Sequence, residues 1–386
     1  MNILYCSCLC TEKTFLEASI KLGSQQVQKY HRLLIKGLNK QKNLTIKALS
    51  KLVSPDIPRH KKIAKIEEWN GINIRYIVSR KVGVLGHIKQ CGVAFLYVLF
   101  HSKKNTIVCL DILNTAMNVG IVLASKLKGL SIIGIVTDLP EHVVPNTKSS
   151  KIGSIILDAC AGYLLLTEMM NDVINPLRRK PFVVIEGQVD SSMLDFENSL
   201  DKKIKPRVFM YAGDFLAKNG IRILINGFIK ARLENTELHI YGGGEEEQFV
   251  KSICMANPNI KYFGYVLNEE IVQKEVQSTL LINPRPSNQD FVKYSFPSKL
   301  MEYMVSGTPV LTTRLCGISK EYYPYIYTID TEDEDGICCK LQELSKLTDY
   351  ELNEKGKLLK QFVIKEKNEV KQAEKFYCLL QKFNSK

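Results

Sequence analysis

Short apolar runs alternate with amphipathic stretches along most of the chain, and this alternation constrains the fold more than any other feature. Such runs are typical of parallel strands buried on both faces, and the stretches between them have the spacing of helices that cover a sheet. The predicted strands of the first half are Asn2–Leu9, Asn73–Val78, Asn105–Leu110, Ser131–Val136, Tyr163–Thr167 and Phe182–Glu186. Those of the second half are Arg207–Ala212, Glu237–Tyr241, Ile260–Tyr265, Thr279–Asn283 and Thr308–Thr312. The sequence therefore predicts an α/β fold with parallel sheets.

The chain has 386 residues, enough for two domains that each bury a core. The polar segment Asp190–Pro206 separates two sets of strands, so we expect one Rossmann-like domain at 1–190 and another at 191–365. A Lys-, Glu- and Leu-rich end, 366–386, predicts a helix that can cross back to the first domain. Ser50–Lys65, with two prolines and several bases, predicts a loop or a short broken helix.

The positive charge lies in the first half of the chain. Residues 1–190 contain 26 Lys and Arg against 13 Asp and Glu, whereas residues 191–386 contain 27 of each kind. We expect the first domain to face a membrane leaflet, a phosphorylated acceptor or nucleic acid, unless its surface is simply rich in lysine. The basic cluster at Arg59–Lys62 and the amphiphilic segment Val82–Phe100 are candidates for contact with an anionic membrane. A buried helix is the alternative for Val82–Phe100.

The cysteine content and the hydropathy pattern indicate the cellular compartment in which the protein is expected. Eleven cysteines are scattered, and the start of the chain has no secretory leader, so a cytoplasmic protein with reduced thiols is expected. Cys6, Cys8 and Cys10 alternate along a predicted strand, which favours core and loop positions over a zinc site. We find no uninterrupted apolar stretch of about 18 residues and expect no membrane span.

Two segments of the second half have the pattern of a ligand site. The strand Glu237–Tyr241 runs into Gly242–Gly244, where backbone N–H groups can approach a phosphate, although a tight turn without a ligand fits equally well. Glu247 stands where a dinucleotide fingerprint needs glycine, which argues against NAD. In Asn283–Thr313, a helix begins at Pro297 and carries Glu302. We expect Glu302 at the surface, accepting hydrogen bonds from ribose hydroxyls, unless it is an ordinary solvated residue.

The run FPSKLMEYMVSGTPVL within this segment resembles the donor-site signature of retaining GT-B glycosyltransferases of the large family four, in its bacterial polysaccharide and cell-surface branch. The stretches YAGDFLAKNGIRILINGF, LHIYGGGEEEQF, IIGIVTDLPE and VVIEGQVDSSM are similar to further parts of that family, and together they cover most of residues 105–320. The resemblance implies a GT-B architecture, in which two Rossmann-like domains face a cleft.

The same resemblance implies roles for individual residues. Glu302 corresponds to the second acidic residue of the family's Glu-x7-Glu motif and would bind the donor ribose, while Tyr294 occupies the first position. The family's basic pair falls on Asp214 and Asn219, which leaves other cations for the diphosphate. The predicted donor-binding residues are Gly213, Lys218, Gly242, Gly243, Arg285, Tyr294, Phe296, Pro297, Ser298, Lys299 and Glu302. Asp138 is the predicted catalytic residue, facing the reacting sugar, with a turn cap as the alternative, and Gly23 is a candidate for diphosphate contact.

The implied reaction moves a hexosyl unit from a UDP- or GDP-sugar to a glycan or a polyprenyl-diphosphate-linked saccharide, with retention. It suits synthesis of a capsule or exopolysaccharide by a cytoplasmic protein, peripheral at the inner membrane face. We expect no metal, and we interpret the acidic run Thr331–Gly336 as solvated and remote from the donor loop. A non-catalytic GT-B subunit that supports a partner transferase and a sugar-nucleotide epimerase are alternatives. A nucleic-acid partner is not expected, because no basic run is interleaved with aromatic residues.

Overall fold

The computed structural model describes residues 1–17, 25–53, 64–79, 83–143, 147–195, 197–266 and 268–384. The chain divides into two compact units, Met1–Gln188 together with Glu369–Lys386, and Val189–Asn368. The predicted boundary after residue 190 lies close to this division. Gly23 and the basic cluster Arg59–Lys62 lie outside the described residues.

The first unit is built on a mainly parallel sheet. Its elements are β1 Asn2–Ser7, α1 Glu12–Glu17, α2 Gln25–Asn39, β2 Thr45–Val53, β3 Ile66–Trp69, β4 Ile72–Ser79, α3 Val84–His101, β5 Thr106–Asp111, α4 Thr115–Lys128, β6 Ile132–Val136, α5 Pro140–Val143, α6 Lys148–Ala159, β7 Gly162–Leu165, α7 Glu168–Ile174 and β8 Phe182–Val184. The described strands lie in the order β3-β4-β2-β1-β5-β6-β7-β8, and the β3 strand is antiparallel to β4. Every residue of β5 and β6 is buried, as expected for strands covered on both faces.

The second unit contains an all-parallel sheet in its described residues. Its elements are β9 Arg207–Asp214, α8 Ile221–Ala231, β10 Thr236–Gly243, α9 Glu247–Ala256, β11 Ile260–Tyr262, α10 Asn268–Gln277, β12 Leu280–Asn283, α11 Ser298–Ser306, β13 Val310–Thr313, β14 Tyr327–Ile329, α12 Glu334–Ser345 and α13 Asp349–Glu366. The strand order is β11-β10-β9-β12-β13-β14. Since β9 lies between β10 and β12, the loops that follow these three strands meet at the carboxyl edge, where open sheets of this class bind ligands.

The last helix, α14 (Glu369–Gln381), belongs to the first unit. It packs on α2 at Gly37, where an added Cβ would lie 1.9 Å from the backbone oxygen of Glu369. The Glu369 carboxylate is fully buried and pairs with Lys40 at 3.1 Å and with Lys36 at 3.7 Å. A close backbone approach and a buried ion pair therefore fix the end of the chain in this unit.

Three short or interrupted strands differ from the predictions. The strands β2, β3 and β14 were not predicted, and the expected loop at Ser50–Lys65 is wrong for Ser50–Val53, which belong to β2. Lysines at positions 47 and 51 interrupt the apolar pattern of β2. The strand nevertheless forms because β1 and β4 satisfy its backbone on both sides.

The predicted helix around Val82–Phe100 is present as α3, and only one stripe of it is buried: Gly86, Gln90, Ala94 and Val98. Large apolar side chains elsewhere on α3 are exposed, among them Leu85 at 71% and Phe100 at 74%. By length and composition α3 could cross a membrane, the one such helix in the described ranges, whereas the sequence predicted none. Core helices of soluble proteins meet the same criterion.

Candidate functional site

Glycines bring two strand ends into close contact at the carboxyl edge of the second sheet. Gly242 of β10 lies opposite Gly213 of β9, and its φ of 120° is one that side-chain-bearing residues rarely adopt. A Cβ on Gly242 would lie 2.0 Å from the Gly213 oxygen. The Phe215 amide donates to the Gly243 oxygen at 2.8 Å, and the Glu246 amide donates to the Phe215 oxygen at 2.9 Å. The predicted Gly213, Gly242 and Gly243 therefore lie together at the paired ends of β9 and β10, where the following loops begin.

Helix α11 is anchored to the same edge. The Tyr303 hydroxyl accepts a hydrogen bond from the Ala212 amide at 2.7 Å and donates to the Ala212 oxygen at 3.1 Å, which ties the helix to the end of β9. The helix begins after Pro297, and no side chain among the described residues caps that end. Ser298 is exposed in the first turn. The Leu300 amide donates to the Pro297 oxygen at 2.9 Å, and the helix dipole makes such an uncapped end favourable for a phosphate.

Glu302 lies one residue before this anchor, in the second turn of α11. The expectation that it lies at the surface is wrong, because its residue is only 6% exposed. Its carboxylate accepts a hydrogen bond from the Lys299 ammonium at 3.0 Å. A buried carboxylate requires a charged or hydrogen-bonding partner, so the environment of Glu302 is that of a functional or structural ion pair rather than of a solvated helix residue.

Lys299 is held between two carboxylates. Besides Glu302, it pairs at 3.1 Å with Glu275 of α10, a residue with no exposed surface. Burial alone would lower the pKa of Lys299, but Glu275 and Glu302 raise it above its ordinary value. Glu275 was not among the predicted site residues, and its burial follows from tertiary packing rather than from a local sequence signal. Lys299 therefore neutralises protein carboxylates in this structure.

The other two predicted cations meet at one aromatic ring. The Arg285 guanidinium lies 4.8 Å from the centre of the Phe291 ring, and the Lys218 ammonium lies 5.1 Å from it. The two residues come from different loops, which Gly220 holds together: a Cβ there would lie 2.2 Å from the Pro284 oxygen. The two cations therefore place positive charge together on one face of the donor loop, and contact with the ring fixes their positions. Phe291 was not among the predicted site residues.

The remaining predicted donor-site residues surround the start of α11. Tyr294 ends a short 3-10 helix, Asp290–Tyr294, and is half-buried. Phe296 is 5% exposed and packs against Tyr322, with ring centres 5.9 Å apart. Phe296 therefore stabilises the loop before α11 by packing into the protein interior, rather than by facing a ligand.

The acidic run Thr331–Gly336 has a local structural role. Asp333 caps α12 by accepting a hydrogen bond from the Gly336 amide at 2.8 Å. Glu332 accepts a hydrogen bond from the Ser287 amide at 2.6 Å, and Ser287 lies in the loop that carries Arg285. The prediction that this run is remote from the donor loop is wrong at Glu332, because its carboxylate binds the backbone of that loop.

Asp138 belongs to the first unit, two residues beyond the end of β6. It lies at the carboxyl edge of that sheet, and its side chain is exposed. This edge is the expected position for a group that meets a ligand in an open parallel sheet.

The two Rossmann-like units match structures of the GT-B class over the whole chain, which confirms the predicted fold. Sucrose-phosphate synthase (tll1590) from Thermosynechococcus elongatus superposes with a TM-score of 0.71 and 12% identity, covering 100% of both chains. The lipopolysaccharide outer core galactosyltransferase WaaB gives 0.64 and 15%, with 99% of each chain covered. Anabaena HepE in complex with UDP gives 0.66 and 11%, covering 99% of this chain and 100% of its own. At these identities the likeness establishes the fold.

Residues 206–346 match the family model described as "Glycosyl transferases group 1". This range contains the predicted donor-binding residues from Gly213 to Glu302. The comparison with curated proteins finds no match to the chain.

Proposed function

We propose that the protein is a glycosyltransferase that moves a hexosyl unit from a nucleoside-diphosphate sugar to a hydroxyl of a glycan or lipid-linked saccharide, with retention. The observation that carries the proposal is the buried Glu302 carboxylate on α11, a helix that Tyr303 ties to the end of β9, within the range that matches the group 1 family. The proposed place of this reaction is surface polysaccharide synthesis on the cytoplasmic side of the membrane.

Each part of the donor has a suitable partner in the second unit. Two vicinal ribose hydroxyls can donate to the Glu302 carboxylate. The diphosphate can lie against the N-terminus of α11 at Ser298, with Arg285 and Lys218 supplying positive charge. Such groups stabilise the charge that develops on a departing nucleoside diphosphate, so the transfer itself requires no metal in this proposal. UDP is favoured over GDP because several similar structures contain UDP.

Lys299 has a different role in this proposal from the one that the sequence suggested. Its ammonium pairs with Glu275 and Glu302, so it holds the Glu302 carboxylate in place for the ribose. Direct contact with the diphosphate falls to Arg285 and Lys218.

A specific observation favours a second candidate function, a GT-B subunit that binds a donor without transferring it. Tyr294 occupies the first position of the Glu-x7-Glu motif, where the resembled family has an acid near the donor sugar. Incubation of the purified protein with a panel of UDP- and GDP-sugars and saccharide acceptors, followed by mass spectrometry, tests both. Glycoside product supports the transferase, whereas saturable nucleotide binding without turnover supports the subunit. Absence of both binding and product would contradict each of them.

Asp138 is the proposed group that orients or deprotonates the acceptor hydroxyl. Asp138→Asn should lower kcat by about 10²- to 10⁴-fold, the range for loss of a general base, and leave the affinity for the donor unchanged. Asp158→Asn, at an exposed position of the same unit, is the matched control. Full activity in Asp138→Asn would remove this residue from the mechanism.

We also propose that the exposed face of α3 binds the surface of an anionic membrane, where a lipid-linked acceptor would lie. Exposed Leu85, Ile88 and Phe100 accompany the excess of basic residues in the first half of the chain. Leu85→Gln with Ile88→Gln should weaken binding to anionic vesicles at least tenfold, because each side chain contributes about 1.5–3 kcal/mol when buried. Leu358→Gln, at an exposed position of α13, is the control for cosedimentation. Equal binding by both variants would contradict this proposal.

A further inference from the structure

A second group of chemically active side chains lies in the first unit. It consists of Cys8, just beyond β1, His31 on α2 and Asp111 at the end of β5. One potential ligand atom from each residue lies within 4.8 Å of the other two. Strands β1 and β5 are neighbours, so the group lies at the carboxyl edge of the sheet.

The helix α2 brings the group together. Gln28 and His31 are three residues apart and so lie on the same face of the helix. The Gln28 amide group donates to the Cys8 oxygen at 2.5 Å, and its own oxygen accepts from the Cys10 amide at 2.8 Å. This clamp fixes the turn after β1 and places Cys8 beside His31.

The geometry at His31 fits metal coordination better than a simple ion pair. Its Nε2 is fully buried and lies 3.4 Å from Asp111 Oδ2, a contact too long and too poorly aligned for a well-formed hydrogen bond. A charge-assisted hydrogen bond would be shorter, about 2.7–2.9 Å. Two ligands of a tetrahedral zinc ion, each about 2.0–2.1 Å from the metal, lie about 3.3 Å apart. The separation of the two atoms therefore matches one edge of such a site.

The surrounding hydrogen bonds orient both ligands. His31 Nδ1 lies 2.7 Å from the Tyr5 hydroxyl, which leaves Nε2 directed at Asp111. The Asp111 carboxylate accepts from the Leu113 amide at 3.1 Å and from the Asn114 side chain at 2.8 Å. Partners of this kind fix the orientation of histidine and carboxylate ligands in metal sites.

We infer that Cys8, His31 and Asp111 form a binding site for a divalent transition-metal ion, zinc by the chemistry of the ligands, with a fourth position open to an oxygen ligand. Thiolate, imidazole and carboxylate together are characteristic ligands of zinc. Cys8 is partly exposed, so the group can be reached from solvent. This inference revises the sequence expectation that Cys8 is only a loop residue, and it stands independently of the proposed transfer reaction.

Cobalt(II) is the probe for this site, because it replaces zinc and gives a thiolate charge-transfer band and intense tetrahedral d–d bands. Titration of the reduced, chelator-treated full-length protein should give saturable binding of one cobalt ion, reversed by zinc. Cys8→Ser should abolish the charge-transfer band, and Tyr5→Phe should weaken binding by about 10- to 100-fold while keeping the band. Cys316→Ser, at an exposed cysteine, should leave both unchanged.

A substitution of Lys51 should strengthen metal binding, whereas the substitutions above should weaken it. It interacts electrostatically with Cys8 and Asp111 from β2. Lys51→Met removes a positive charge near the proposed ion, so it should tighten cobalt binding, a result that loss of folding cannot mimic. Circular dichroism checks that each variant is folded. Absence of saturable cobalt binding by the wild-type protein, or a charge-transfer band that survives in folded Cys8→Ser, would overturn the inference.

Discussion

Glu302→Gln should lower the affinity for UDP by about 10- to 100-fold, because hydrogen bonds to a charged group contribute about 1.5–3 kcal/mol. The loss should be similar for uridine, since the proposed contact is to the ribose. The variant should remain folded, because Lys299 keeps its pair with Glu275. Isothermal titration calorimetry measures both ligands.

The matched control for this variant is Glu270→Gln, which changes an exposed glutamate of the same unit. It should bind UDP as the wild-type protein does. Wild-type affinity in Glu302→Gln would assign the Glu302 carboxylate a purely structural role.

Lys299→Met should lower the free energy of unfolding by about 3–5 kcal/mol, the range for removing one partner of a buried ion pair. The substitution leaves Glu275, which has no exposed surface, and Glu302 without their shared cation. Urea unfolding followed by circular dichroism measures the change. Lys251→Met, at a surface ion pair with Glu247, should change stability by no more than about 1 kcal/mol.

A double variant separates this ion-pair role from a packing defect. Glu275→Gln removes the charge of one of the two carboxylates that Lys299 pairs with, so Lys299→Met with Glu275→Gln should be more stable than Lys299→Met alone. If Lys299→Met unfolds like the wild-type protein, or if the second change adds a further loss, the ion-pair role is wrong.

Much of the fold follows from the sequence because parallel strands covered on both faces give continuous apolar runs. The strands β5, β6, β9, β10 and β12 lie where these runs predicted them. The prediction failed at β2, where exposed Lys47 breaks the pattern, and at short β3 and β14. Pairing with neighbouring strands forms these elements, and that information is not local in the sequence.

The candidate site was predictable in its members but not in their arrangement. The glycine turns and the start of α11 came from local turn and helix signals. Glu302 was expected in solvent because a charged helix residue is usually exposed, whereas its burial depends on Lys299 and on Glu275 from another helix. Phe291 joins Arg285 to Lys218 only through tertiary contact, so spacing along the chain gave no indication of it. The grouping of Cys8 with His31 and Asp111 is likewise created by the sheet order.

The central claim is that a nucleotide binds the carboxyl edge of the second sheet with its ribose on Glu302. A crystal structure of the protein with UDP tests it most directly. We predict ribose hydroxyls at hydrogen-bond distance, about 2.5–3.0 Å, from the Glu302 carboxylate, and the diphosphate between the start of α11 and Arg285. UDP bound elsewhere, with Glu302 contacting only Lys299, would contradict the account.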